Sequence, residues 1–206
     1  MKIYGNPFST CTRKVLATFA EKGHTPDLVV IDLAKGEHKS PEHVARQPFG
    51  QVPALEEDGW RLYESRAIIR YLDTVLSGPA LIPSDARGVA RMEQWISVES
   101  ANFTPGAMKI IYQTVFGRWR GQTPDMDKVS EGRAQLIRAL DVMDRALAES
   151  EFIAGDQYTL ADICFLPYLE YLEAGDEGDT LATRANVSRW WTAARARPAW
   201  QKAIGK

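Results

Sequence analysis

The chain has 206 residues, 45% apolar and 25% charged, enough to close a sizeable core as one large domain or two small ones. A net charge of −2 supplies no positive field to draw in nucleic acid or an anionic membrane, and no run approaches the roughly 20 apolar residues of a membrane span. Only Cys11 and Cys164 occur, too few for a disulfide framework, and the opening MKIYGNPFST lacks a leader's charged-then-apolar pattern, so a cytoplasmic protein with a small partner is expected.

Lys2 to Tyr4 reads as a short strand. Cys11, Val15 and Phe19, with Leu16 beside them, form a helical stripe that Gly23 can close. Leu28 to Ile31 is a continuous apolar run of strand length, the kind expected in a sheet covered on both faces. Residues 51 to 55 (QVPAL) lead to Asp58-Gly59, a dipeptide that favours a tight hairpin turn. Ser65 is placed to cap a helix carrying Ile68, Tyr71, Leu72, Val75 and Leu76, which Ser77-Gly78-Pro79 ends. The order βαβ then ββα predicts a thioredoxin-like domain over 1–78, with 79–88 as a linker.

From 89 to 206 the pattern is helical, which predicts an all-α second domain. Val89, Met92, Ile96 and Phe103 mark one long helix, and Thr104-Pro105 supplies a capping hydroxyl and a first-turn proline, so a kink or restart is expected there. Leu136, Leu140, Met143 and Leu147 line another helix, and Leu160 to Leu172 reads as a buried centre. Thr159 and Asp162 have the spacing of a reciprocal capping box. The terminal basic residues interleaved with Trp190, Trp191 and Trp200 describe an amphipathic helix rather than a nucleic-acid surface.

Between the first strand and first helix stand Asn6, Pro7, Phe8, Ser9, Thr10, Cys11, Thr12 and Arg13, beside the unpaired N–H groups of a helix start. That pole stabilises anions, thiolates included. A thiol with a pKa near 8.5 is only about 3% ionised at pH 7, and lowering it by two units takes roughly 2.7 kcal/mol. One hydrogen bond to the charge contributes about 1.5 to 3 kcal/mol and a helix terminus about 0.3 to 2, which together suffice.

Five stretches in order then carry a resemblance to the glutathione transferases, most similar to the phi class: residues 6–15 (NPFSTCTRKV), 36–43 (GEHKSPEH), 48–54 (PFGQVPA), 63–68 (YESRAI) and 154–162 (AGDQYTLAD). The resemblance covers the whole chain. It implies a glutathione transferase fold, glutathione as co-substrate, a small hydrophobic electrophile as second substrate, and a homodimer. Ser9 resembles the catalytic serine that donates to the glutathione sulfur. Val52-Pro53 resembles a cis-proline junction where the Val52 backbone pairs with the tripeptide like an added strand. Glu64 and Ser65 resemble the pair that binds the γ-glutamyl end, and His38, Lys39 and Gln51 stand where the family contacts the rest of glutathione. Phe8, Met108, Tyr112, Phe116 and Trp119 are the candidate electrophile pocket, and Phe49 resembles an aromatic that enters the partner subunit.

Two other readings stay open: glutathione-dependent peroxide reduction or thiol transfer through Cys11, and a non-catalytic ligand-binding protein of the same fold. No Walker loop, dinucleotide fingerprint or HExxH occurs. His24, His38 and His43 are the only histidines, and the last two are not spaced to share a helix face, so no metal is expected.

Overall fold

The chain opens with β1 (Lys2–Gly5), α1 (Thr10–Glu21) and β2 (Asp27–Val30), in a computed structural model that describes every residue from Met1 to Lys206. The stripe on α1 buries Val15 and Phe19, and after the helix Gly23 takes a left-handed φ of 78°. Only with that turn can the His24 N–H reach back to the Phe19 carbonyl at 2.8 Å and close the end.

A short helix α2 (Pro41–Val44) precedes β3 (Ala54–Glu57) and β4 (Trp60–Tyr63), and α3 (Ser65–Val75) follows. The hairpin turns on Asp58 and Gly59, both at positive φ, as the dipeptide predicts. Strand order is β2-β1-β3-β4, with β1 and β2 parallel and the other pairs antiparallel. This is the expected thioredoxin-like arrangement. Ile3 and Leu55 are wholly buried, as are Ile68, Ile69 and Leu72 of α3. Tyr4, Ile31 and Ala54 form a second cluster, and the Arg46 guanidinium lies 4.1 Å above the Tyr4 ring.

β2 departs from expectation. It is an edge strand with a single neighbour, and Val30 is 57% exposed, so its apolar run is not the signature of a sheet covered on both faces. β-branched residues satisfy the pleated backbone at an edge as well as in a core.

Two compact units divide the chain: Met1–Leu81 with Arg197–Lys206, and Ile82–Ala196. The last ten residues therefore group with the first unit, not with a domain spanning 89–206. The reason lies in α10 (Pro198–Ala203) and its approach. Arg197 makes a two-pronged pair with Glu21, both bonds 2.7 Å, Lys202 donates to Thr25 at 2.8 Å, and Trp200 is fully buried.

The second unit contains α4 (Ala86–Val98), α5 (Thr104–Ile111), α6 (Met126–Ala148), α7 (Leu160–Leu172), α8 (Gly178–Ala182) and α9 (Ala185–Arg195). No helix in the chain is long and apolar enough to cross a membrane. The predicted restart at Thr104 takes another form. Phe103 and Thr104 keep helical dihedrals, and the five residues Glu99–Phe103 form a wider π-helical turn. The Thr104 hydroxyl donates to the buried Glu99 carboxylate at 2.8 Å instead of capping. Pro105 needs no cap there, because the widened turn absorbs its missing N–H.

α7 starts on the predicted reciprocal box. Asp162 is wholly buried and accepts from the N–H groups of Ile153 (3.0 Å) and Thr159 (2.8 Å), the Thr159 hydroxyl (3.2 Å) and the Trp190 indole (2.8 Å). Burial pushes its carboxyl from 3.8 up to about 6, against those four donors. Replacing Asp162 by Ala strands four donors in the interior, and a denaturant titration is expected to show a loss on the order of 3 kcal/mol. The folded state holds the Asp162 proton more tightly than the unfolded chain, so this group's contribution falls as pH rises from 3.8 to about 6 and is then constant. Asp162→Asn is expected to remove that slope from a series of melting curves.

Candidate active site

The sheet register gathers the candidate residues at one end. Tyr4 pairs with Ala54, and Ala54 pairs with Tyr63. The exit of β1, the entry of β3 and the exit of β4 are therefore level with one another. Gly5 pairs with Val30, so the segment after β2 leaves at the same end. Gln51-Val52-Pro53 directly precedes β3 and Glu64-Ser65 directly follows β4, while Ser9 stands in the segment after β1 and the His38–Lys39 turn in the segment after β2.

The turn from β1 into α1 is held by Asn6. Its carboxamide donates to the Ile31 carbonyl at 3.0 Å and accepts the Phe8 N–H at 3.0 Å, while its own N–H reaches the Thr12 hydroxyl at 3.3 Å. Arg13 Nε fixes the Pro7 carbonyl at 2.9 Å. Gly5 is required by close approach, because a Cβ there would stand 2.7 Å from Thr12 Cγ2. Ser9 is the N-cap of α1, and its Oγ accepts the Thr12 N–H at 3.3 Å. Capping uses a lone pair and leaves the hydroxyl hydrogen to donate. Cys11 is half-buried in the first turn of α1.

Val52-Pro53 is the only cis peptide bond in the chain. Pro53 is buried and Val52 half-buried. The Val52 N–H and C=O make no hydrogen bond within the chain, so both remain for an extended peptide to pair with.

Glu64 stands at φ 71° and ψ 109°, a backbone conformation that costs a non-glycine residue about 1 to 3 kcal/mol. It, and not Ser65, is the N-cap of α3: its carbonyl accepts the Ala67 and Ile68 N–H groups, each at 2.9 Å. Ser65 is instead the first helical residue and is buried, because the left-handed backbone at Glu64 shifts the helix start by one. The Glu64 side chain makes no capping bond and is exposed.

His38 and Lys39 lie in one 3₁₀ turn, Glu37–Lys39. Burial holds the His38 imidazole below its ordinary range, and the charges of Lys39 and His43 add to the effect. Near neutral pH it is an uncharged hydrogen-bonding group beside the exposed ammonium of Lys39, whose Nζ rests 3.0 Å from the Phe49 carbonyl. Gln51 is exposed, with both its backbone groups held by α2-side residues His43 and Gln47. Sequence reasoning gave those two no role in the site; a histidine and a glutamine only 1% and 2% exposed are unusual, and it is the fold that marks them.

Of the candidate pocket residues, Phe8 is 57% exposed in the first unit. In the second, Met108 is half-buried, and Tyr112, Phe116 and Trp119 form a chain of rings with centroids 5.6 and 5.4 Å apart. Tyr171 of α7 completes it at 5.1 Å from Phe116 and 5.8 Å from Trp119. It lies inside a segment that reads as plain core, so the sequence carries no signal for it. Tyr112 and Trp119 are 51% and 59% exposed, leaving apolar surface open.

The family model "Glutathione S-transferase, N-terminal domain" matches residues 1–74, and "Glutathione S-transferase, C-terminal domain" matches 103–198. Glutathione S-transferase APIC of Nicotiana tabacum is 38% identical over 208 aligned residues, covering 100% of this chain and 98% of that protein. The crystal structure of glutathione transferase F7 from Populus trichocarpa superposes with a TM-score of 0.94 at 38% identity, over 99% of this chain and 97% of that one. Glutathione S-transferase I from mais, solved in complex with an atrazine glutathione conjugate, gives a TM-score of 0.91 at 32% identity, over 99% and 96%. With a cis-proline junction, a serine-capped first helix and both family domains in one chain, this protein belongs to the glutathione S-transferase family, among relatives of the plant phi class.

Proposed function

We propose that the chain binds glutathione at the gathered strand ends and conjugates it to small hydrophobic electrophiles, with Ser9 as the catalytic residue. The observation that carries this reading is the Ser9 hydroxyl, whose oxygen accepts the Thr12 N–H while its hydrogen is left to donate. A sulfur brought against it gains one hydrogen bond and lies at the positive end of α1, the two stabilisations that favour a thiolate. The thiolate forms the S–C bond, the leaving group departs with its electron pair, and the thiol proton passes to solvent.

The remaining residues divide the tripeptide among them. Val52 offers its free N–H and C=O to the cysteinyl backbone beside the cis Pro53 bond. The exposed Glu64 carboxylate takes the γ-glutamyl ammonium, and Ser65 with the opening N–H groups of α3 takes the α-carboxylate. Lys39 supplies charge and His38 a neutral hydrogen bond to the glycyl carboxylate, with Gln51 beside them. For the electrophile, Met108 and the rings of Tyr112, Phe116 and Trp119 are the apolar groups of the helical unit, and Phe8 is an exposed apolar side chain next to Ser9 in sequence. A homodimer is supported by Phe49, 64% exposed and edge-on to Tyr63 at 6.1 Å, an apolar group that a second copy would cover. Two free cysteines suit a reducing cytoplasm.

Calorimetry is expected to show glutathione binding to the wild-type chain, and Ser9→Ala is expected to lower kcat/KM for conjugation about 10- to 100-fold, the loss of one hydrogen bond to a charge. Cys11→Ser is expected to retain activity; if it abolishes turnover while Ser9→Ala does not, the assignment of Ser9 is overturned. Glu64→Gly is expected to move two measurements in opposite directions. Relief of the positive φ raises unfolding stability by about 1 kcal/mol, while loss of the carboxylate weakens glutathione binding in the same calorimeter.

A further inference from the structure

The chain ahead of Val52 is fixed in place by side chains rather than by the sheet. β3 begins only at Ala54, so no strand pairing orients Gln51. Instead Gln47 Oε1 accepts the Gln51 N–H at 3.1 Å, and His43 Nε2 lies 2.6 Å from the Gln51 carbonyl oxygen. A carbonyl only accepts, so Nε2 carries the hydrogen and donates it. His43 Nδ1 is buried without a partner. A buried polar atom left unpaired is costly, and an apolar side chain would avoid that cost at the same position. The imidazole is therefore present for the bond made by its other nitrogen.

That bond acts on the next residue. The Gln51–Val52 peptide is trans, since the only cis bond follows Val52. One rigid plane then carries the Gln51 C=O and the Val52 N–H, pointing in opposite directions. His43 grips one edge of the plane, and the unpaired Val52 N–H projects from the other. A rotation of the plane that broke the first contact would turn the second away from any ligand.

We propose that His43 is a positioning residue for the peptide substrate, setting the direction of the Val52 N–H through the Gln51 carbonyl. This rests on the glutathione site proposed above. The test compares two donor-free replacements, His43→Met and His43→Phe, with His43→Gln, whose carboxamide can still donate; two donor-free variants guard against one failing to fold. Steady-state kinetics with glutathione and one fixed electrophile, with a melting curve for each variant, give the readout. The donor-free variants are expected to raise KM for glutathione about tenfold, with kcat at saturating glutathione within twofold of wild type and KM for the electrophile unchanged. His43→Gln is expected to restore most of the glutathione KM.

Wild-type KM in the donor-free variants, a fall in kcat with KM unmoved, or equal impairment of Gln and Met would overturn the proposal. If the wild-type chain binds glutathione with Ser9-dependent turnover and the donor-free variants keep its KM, this inference alone fails. If the wild-type chain does not bind glutathione in the calorimeter, the reading of the site fails with it.

Discussion

Two backbone pairings, Tyr4 with Ala54 and Ala54 with Tyr63, govern the rest of the site. A slip of one residue in either would turn every side chain of that strand to the opposite face and displace a strand end by about 3.3 Å. Register is pinned by burial: Ile3 and Leu55 are directly paired and wholly enclosed, and neither could move to the other face without exposure. The core on one face of the sheet thus sets the level at which the loops emerge, and the loops carry the candidate site residues.

The emerging loops are held by polar side chains acting on backbone. Asn6 holds the turn before Ser9, Lys39 the Phe49 carbonyl, and Gln47 and His43 the two groups of Gln51. Regular secondary structure satisfies main-chain groups internally, which leaves none for a ligand. Irregular segments held from the side keep selected groups free, as at Val52, and still prevent them from wandering. Glu64 adds a local strain that the wholly buried Ile68, Ile69 and Leu72 of the following helix can sustain.

The fold was largely legible because its signals are local. The stripe of α1, the Asp58-Gly59 turn and the Thr159/Asp162 box each act within a few residues, and each stands where the sequence places it. Strand position was not legible from Leu28 to Ile31, since an apolar run is equally suited to an edge and a centre. The cap of α3 was misplaced by one because only a left-handed backbone at Glu64 makes it the N-cap, and side-chain preference favours serine. Among candidate site residues, those with a counterpart in the family pattern could be named, whereas the contacts of His43 and Gln47 with Gln51, and of Tyr171 with Phe116, join residues that only the folded chain brings near.

The two-pronged bond from Arg197 to Glu21 has a consequence for how the molecule is made. Residues 197–206 leave the ribosome after residues 82–196, yet they belong to the unit whose strands leave it before them. Throughout translation of residues 82–196 that early unit lacks α10, the helix that packs against α1. Completion of the sheet-bearing half thereby waits on synthesis of the helical residues between, and a nascent chain halted before Arg197 lacks the clasp to Glu21 at the end of its first helix.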